Sequence, residues 1–151
     1  MTRAHTYEVR VEFGDCDPAQ IVYFPNFYRW MDAAGRNFFV SCGLPPWTET
    51  ERTLGIIGTP LVNAEARFVK PASYDDRLQI TTEVTEWRRQ SFVMRHRIRR
   101  DSELIVECDE VRVFACRLDG DARRIRAVPI PPEFRALCEA PAVPDDLEGR
   151  R

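Results

Sequence analysis

In this chain of 151 residues, the residues whose types and spacing invite chemistry are three carboxylates, one thiol and a pair of arginines. Asp15, Cys16 and Asp17 are consecutive. They stand ahead of Pro25, which suits the first position of a helix because its missing N–H would have no partner there. A carboxylate beside a bound acyl carbonyl acts in one of two ways. It attacks the carbon and forms a mixed anhydride, or it deprotonates a water that attacks. Asp17 is a candidate for that work. Phe24 falls near the helix cap, where backbone N–H groups lack intrahelical acceptors and the helix dipole favours negative charge. A carbonyl oxygen aimed at the Phe24 N–H would be polarised, and its oxyanion stabilised. Asp32 follows Met31 beside an apolar helical stripe. Arg88 and Arg89 follow Trp87 between two strand-like runs and suit charge-assisted capture of phosphates.

Each of these residues also has a plainer reading. An aspartate in a loop such as that of Asp17 is more often a turn residue or a cap, and spacing alone favours that reading. A helical aspartate such as Asp32 is more often solvated or paired, with Arg29 or Arg36 as local partners. A basic hairpin tip is commonly just a solvated turn. Cys16 adjoins Asp17, but consecutive side chains diverge and no histidine is near in sequence to lower its pKa, so it reads as structural. His96 lies in an alternating run and reads as a packed or surface imidazole. A metal site from Asp15, Asp17 and Asp32 would need oxygen ligands of unspecified geometry and is not expected.

The elements that must position these residues follow from periodicity. Tyr7 to Phe13 alternates with period two and reads as a half-buried strand, broken by Gly14, Asp15, Asp17 and Pro18. Phe27, Trp30, Met31, Ala34 and Phe38 recur at helical spacing, giving a helix from Pro25 to Cys42 that Gly43 and Pro45-Pro46 stop. Trp47 to Leu54 reads as a short helix, Gly55 to Pro60 as a turn, and Leu61 to Val69 as a strand. Leu78, Ile80, Thr82 and Val84 share one strand face, and Phe92, Met94, His96 and Ile98 another. Leu104 to Arg117 reads as a third run that alternates less cleanly, through Val106, Cys108, Val111, Val113 and Ala115. Short connections make these three an antiparallel meander. Ile125 to Val128 reads as an edge strand and Pro131 to Cys138 as a terminal helix. One long apolar helix must bury its stripe on this sheet, giving an α+β domain over 1–139 with the sheet wrapped around the helix. Residues 140–151 read as a disordered tail.

A net charge of −2 gives no reason to expect a nucleic-acid partner. No apolar run reaches the ~20 residues that span a bilayer, and the N-terminus lacks the apolar core of a signal peptide. Five cysteines without a CxxC pair read as reduced thiols in a cytoplasmic protein, and no structural zinc or cofactor is expected. An open sheet edge invites pairing with a second copy, so a dimer is expected on physical grounds.

The run EFGDCDPAQIVYFPNFYRWMDAAGRNFFVSCGLPPW closely resembles the 4-hydroxybenzoyl-CoA thioesterases of the hotdog-fold superfamily. The resemblance continues through GIIGTPLVNAEARFVKPASYDDRL, EWRRQSFVMRH and DEVRVFA. It implies a single hotdog domain and hydrolysis of an acyl-CoA thioester without a cofactor, with 4-hydroxybenzoyl-CoA foremost. A thiolate leaves readily, so no strong general acid is required, in keeping with two histidines. The resemblance places the catalytic aspartate on Asp17 and the polarising N–H on Phe24, where the family commonly has Tyr. It places recognition of the ring hydroxyl on Asp32, a substrate-loop threonine on Thr59, and coenzyme A phosphate binding on Arg88 and Arg89. Gln90 stands where a lysine is frequent, which weakens one phosphate contact. Gln20 stands where Gly is usual, so a side chain there could narrow the acyl pocket or move the loop. The resemblance also implies a dimer of dimers with sites between paired subunits. Two other readings stay open: a thioesterase for benzoyl or a short aliphatic acyl group, and a hotdog protein that binds acyl-CoA without turnover. A hydratase is weaker, because that chemistry in this fold usually pairs the aspartate with a nearby histidine.

Overall fold

The computed structural model describes residues 3–142. Strand β1 (Ala4–Arg10) leads through a 3-10 turn at Phe13–Asp15 and a loop into helix α1 (Pro25–Ser41) and helix α2 (Trp47–Leu54). Then come β2 (Ile56–Gly58), β3 (Leu61–Phe68), β4 (Arg77–Trp87), β5 (Ser91–Arg100), β6 (Glu103–Val113), β7 (Ala115–Leu118), β8 (Asp121–Ala127) and helix α3 (Pro132–Glu139). β1, β4, β5, β6 and β3 form one antiparallel sheet in that order, and β2, β7 and β8 a smaller second one.

The expected α+β arrangement is present, with α1 laid on the sheet. The N-terminal half of α1 buries Phe27, Trp30, Met31 and Ala34 against Leu78, Ile80, Ile98 and Val106. Its C-terminal half buries Phe38 and Phe39 against Val84, Phe92, Met94, Phe114 and Phe134. Between the two halves the helix comes close to β5. A Cβ on Gly35 would lie 3.0 Å from Met94 Sδ, so a residue without a side chain sits at the crossing. The expected inward faces of β4 and β5 are the buried ones.

Four expectations need correction. The first strand ends at Arg10, and Phe13 is 81% exposed in the 3-10 turn, because Glu12 and Asp15 cap that turn reciprocally. Gly55 to Gly58 is not only a turn, since Ile56–Gly58 pairs with β7 as a short strand. The run from Leu104 to Arg117 is not one strand. It breaks at the fully buried Phe114, whose N–H donates to Gln90 O at 3.1 Å, and the chain then passes into the second sheet. The last strand is longer than expected, Asp121–Ala127. Of the expected tail, residues 143–151 lie outside the described residues, while Ala140 O accepts from Arg3 Nη1 at 3.0 Å.

Candidate active site

The loop carrying Asp17 is a short hairpin built from local hydrogen bonds. Asp17 N–H donates to Ile21 O at 2.9 Å and Gln20 N–H to Asp17 O at 2.8 Å. That pattern is a three-residue loop closed by a residue in the left-handed region, and Gln20, at φ 66°, is that residue. Asp17 Oδ1 accepts from Ala19 N–H at 2.8 Å, an Asx turn. The plain reading of Asp17 therefore holds, yet it occupies one carboxylate oxygen, and Oδ2 has no partner among the described residues. A Cys16–Val22 bridge closes the hairpin, an Ile21–Ser73 bridge ties it to the connection between β3 and β4, and Ser73 Oγ donates to Gln20 O at 2.6 Å.

The neighbouring carboxylate is spent on holding this loop. Asp15 Oδ2 accepts from Glu12 N–H at 2.8 Å, and Oδ1 pairs with Arg29 at 3.2 Å. The Asp15 carbonyl accepts from Tyr23 N–H and from Asn26 Nδ2 of α1. These bonds tie the loop to the helix start. Phe24 is the N-cap of α1, with Pro25 at the first helical position as expected. Its own N–H has no acceptor among the described residues. Its ring is 58% exposed and packs edge-on near Phe68, within an exposed aromatic patch with Tyr23.

A second group of residues meets in a cavity of about 580 Å³, lined among others by Asp32, Arg36, Trp47, Thr59, Met94 and Arg112. Asp32 and Thr59, 27 positions apart in sequence, are thus brought together. Asp17 and Phe24 do not line this cavity. Asp32 lies eight residues along α1 from Phe24, about 12 Å by helical rise. The local partners expected for Asp32, Arg29 and Arg36, are not the ones it uses. Its Oδ1 pairs with Arg112 Nη2 from β6 at 3.0 Å.

Arg112 is a residue that the sequence reading missed. Its Nε donates to Glu110 Oε2 at 2.7 Å and its Nη1 to Thr59 O at 2.9 Å. Glu110 is 3% exposed. Burial alone would raise its carboxyl, but His96 and Arg112 outweigh that and hold it down at about 2. His96 is fully buried, with Nδ1 2.7 Å from Thr82 Oγ1 and Nε2 3.2 Å from Glu110 Oε2. The latter approach is off-axis, so Nε2 has no aligned hydrogen-bond partner among the described residues. The sequence did carry a signal here. The inward face of β6 is Val106, Cys108 and Glu110, so Val111 and Val113 are not its continuation. Imperfect alternation at that point marked a charged residue going inside.

Arg88 and Arg89 occupy the tight turn between β4 and β5, where Arg88 N–H donates to Ser91 O at 2.8 Å. Glu86 already holds Arg88 in a two-pronged pair at 2.9 and 3.0 Å. Arg89 is exposed and forms no ion pair among the described residues. Gln90 is half-buried, its carbonyl accepting from Phe114 N–H. The thiols stay apart from this chemistry. Burial pushes Cys108 up to about 12, and Cys16 Sγ lies 3.9 Å from Glu12 O.

Comparison with known proteins shows the family. A thioesterase-like superfamily profile matches residues 11–137. The 4-hydroxybenzoyl-CoA thioesterase of Pseudomonas sp. (strain CBS-3) is 52% identical over 91% of this chain and 99% of its own. A crystal structure of a 4-hydroxybenzoyl-CoA thioesterase, an aspartate-to-asparagine mutant complexed with 4-hydroxybenzoyl-CoA, superposes with a TM-score of 0.85 at 50% identity, covering 90% of this chain and 99% of that one. The structure of a gentisyl-coenzyme A thioesterase superposes with a TM-score of 0.74 at 34% identity, over 87% of this chain and 99% of that one.

Proposed function

The chain belongs to the thioesterase-like superfamily and has its hotdog fold, and we propose that it hydrolyses 4-hydroxybenzoyl-CoA to 4-hydroxybenzoate and coenzyme A. It is a thioester hydrolase. The observation that carries the substrate is the cavity holding Asp32, one of whose carboxylate oxygens is taken by Arg112 and the other left to accept. A phenol hydroxyl satisfies that oxygen. An unsubstituted ring would desolvate it without a partner, which discriminates between the two.

Asp17 supplies the reacting carboxylate. Its free oxygen attacks the thioester carbon, or takes a proton from a water that attacks there. In either case the carbonyl oxygen becomes an oxyanion, to which the Phe24 N–H at the start of α1 donates a hydrogen bond. The C–S bond breaks and coenzyme A leaves as thiolate. In the nucleophilic route water then cleaves the mixed anhydride and restores Asp17. Thr59 sits at the ring end of the cavity. Arg89 takes coenzyme A phosphate, with Arg88 joining it by sharing its fork with Glu86, and Gln90 shapes the turn.

The working unit is a homo-oligomer, a dimer of dimers, in the cytoplasm. Strand β3 is an open sheet edge with Leu61, Val62 and Phe68 45% to 62% exposed, continuous with the aromatic patch at Phe24. A second copy that covers this edge would enclose the Asp17 loop, which supports sites between subunits. Among the described residues no helix is long and apolar enough to cross a membrane.

The test is thiol release from 4-hydroxybenzoyl-CoA, benzoyl-CoA and a short aliphatic acyl-CoA, with a no-substrate blank for the protein's own thiols. Preference for the hydroxyaryl ester, lost in Asp17→Asn, is the expected result. Equal turnover of all three would transfer the assignment to a broad acyl-CoA thioesterase. Binding without turnover would leave an acyl-CoA-binding protein.

A further inference from the structure

The cavity that holds Asp32 is organised by one guanidinium. Arg112 is 13% exposed, and three of its nitrogens each bind a different element. Nε binds the buried Glu110 of its own strand, Nη1 binds the Thr59 carbonyl between β2 and β3, and Nη2 binds Asp32 on α1. Glu110 is anchored in turn beside His96, which contacts Thr82 on β4. Asp32 is itself 74% exposed. An aspartate so exposed samples several rotamers unless a partner fixes it.

We propose that Arg112 is a positioning residue for ring recognition, fixing the Asp32 carboxylate and the Thr59 segment where the para-hydroxyl of the substrate is read. The inference rests on the hydroxyaryl-CoA reading above. Its physical content is geometric. A planar fork can serve three partners at fixed angles, and a lysine ammonium on a flexible stem cannot reproduce that arrangement. One Arg112 charge is shared by two carboxylates, so the junction keeps an acceptor facing the cavity. Recognition of a hydroxyl depends on that acceptor being held to within a fraction of an ångström. Rigid support from the sheet interior does what the exposed helix surface alone does not.

The readout is the ratio of kcat/KM for 4-hydroxybenzoyl-CoA over benzoyl-CoA. It is measured for the wild type, Asp32→Asn, Arg112→Lys, Arg112→Gln and the double variant Asp32→Asn with Arg112→Lys. Arg112→Lys keeps a cation beside buried Glu110, which protects the fold when Arg112→Gln does not. Thermal melting is followed for each. The expected result is a ratio lowered about 10-fold in Arg112→Lys, approaching the loss in Asp32→Asn. The double variant should lose no more selectivity than Asp32→Asn alone, because both changes remove the same recognition.

A merely structural Arg112 would lower kcat/KM for both esters by the same factor and leave the ratio at its wild-type value, which overturns the proposal. Independent, multiplying losses in the double variant also overturn it. Failure of the underlying reading looks different. There the wild type itself shows no preference, or Asp32→Asn leaves the preference intact.

Discussion

The two ends of the candidate site are built in opposite ways. The Asp17 end is a loop of near neighbours. The turn is closed by bonds among Asp17, Ala19, Gln20 and Ile21, with Ser73 and the start of α1 steadying it from outside, and the surroundings are exposed. The Asp32 end is a junction of distant segments. Asp32 and Arg112 are 80 positions apart, and Arg112 leans on a glutamate with 3% exposure. The first arrangement holds a carboxylate while leaving an oxygen free to react. The second spends buried charge to hold an acceptor still. Reactivity needs access, whereas recognition needs rigidity, and the proposed roles would separate the two along one helix.

If that contrast is right, the largest effect belongs to Asp17→Asn, and it should fall on turnover alone. Loss of the reacting carboxylate lowers kcat by about 10²- to 10⁴-fold. The asparagine Oδ1 still accepts from Ala19 N–H, so the Asx turn survives and the melting temperature stays near that of the wild type. A variant that loses activity together with its fold would erase the distinction between the two ends.

Glu110→Ala should do the reverse and strike stability first. It leaves His96 and Arg112 facing a buried gap without their carboxylate. Breaking one side of a buried charged pair costs about 3–5 kcal/mol. Chemical denaturation measures this directly. The pH dependence carries a sign that can be checked. The folded Glu110 carboxyl is depressed from 4.5 to about 2. Its contribution to stability is therefore fully present above the unfolded value near 4.5, and is lost as pH falls through the range towards 2. Glu110→Gln should flatten that part of the acid-denaturation profile. A mutant profile parallel to the wild type between those values would sink the assignment.

The contrast also explains what could be read from the chain. The loop, the helix start and the inward faces of β4 and β5 are local patterns, so composition and periodicity reached them. Asp32 and Thr59 came with the resemblance, and the cavity that joins them required the fold. The true partner of Asp32 was beyond reach because helical spacing offers only Arg29 and Arg36, while the tertiary pairing supplies Arg112. The break of the third meander strand at Phe114 was hidden for a similar reason. An apolar residue continues the alternation on either sheet, and the turn shows only in tertiary pairing, in the bond from its N–H to Gln90 O and in the pairing of β7 with β2.

The smallest effect sharpens the comparison most finely. Gln20 is the one residue of the Asp17 hairpin loop recorded with a positive φ, at 66°. A glycine at such a position removes the Cβ strain of the left-handed region, about 1 kcal/mol. It also gives the unfolded chain more freedom, which offsets roughly 0.4–1 kcal/mol of that gain. Gln20→Gly should therefore leave stability within about 0.5 kcal/mol of the wild type by chemical denaturation. If the Gln20 side chain narrows the acyl end of the site, bulkier aryl esters should gain in kcat/KM relative to 4-hydroxybenzoyl-CoA. An unchanged substrate profile would mean that the side chain lies outside the acyl path and that glycine serves this position for backbone reasons alone. Either outcome leaves the 4-hydroxybenzoyl over benzoyl ratio untouched if para-hydroxyl reading resides at the Asp32 end. A change in that ratio from Gln20→Gly would show that the two ends of the helix are not separate after all.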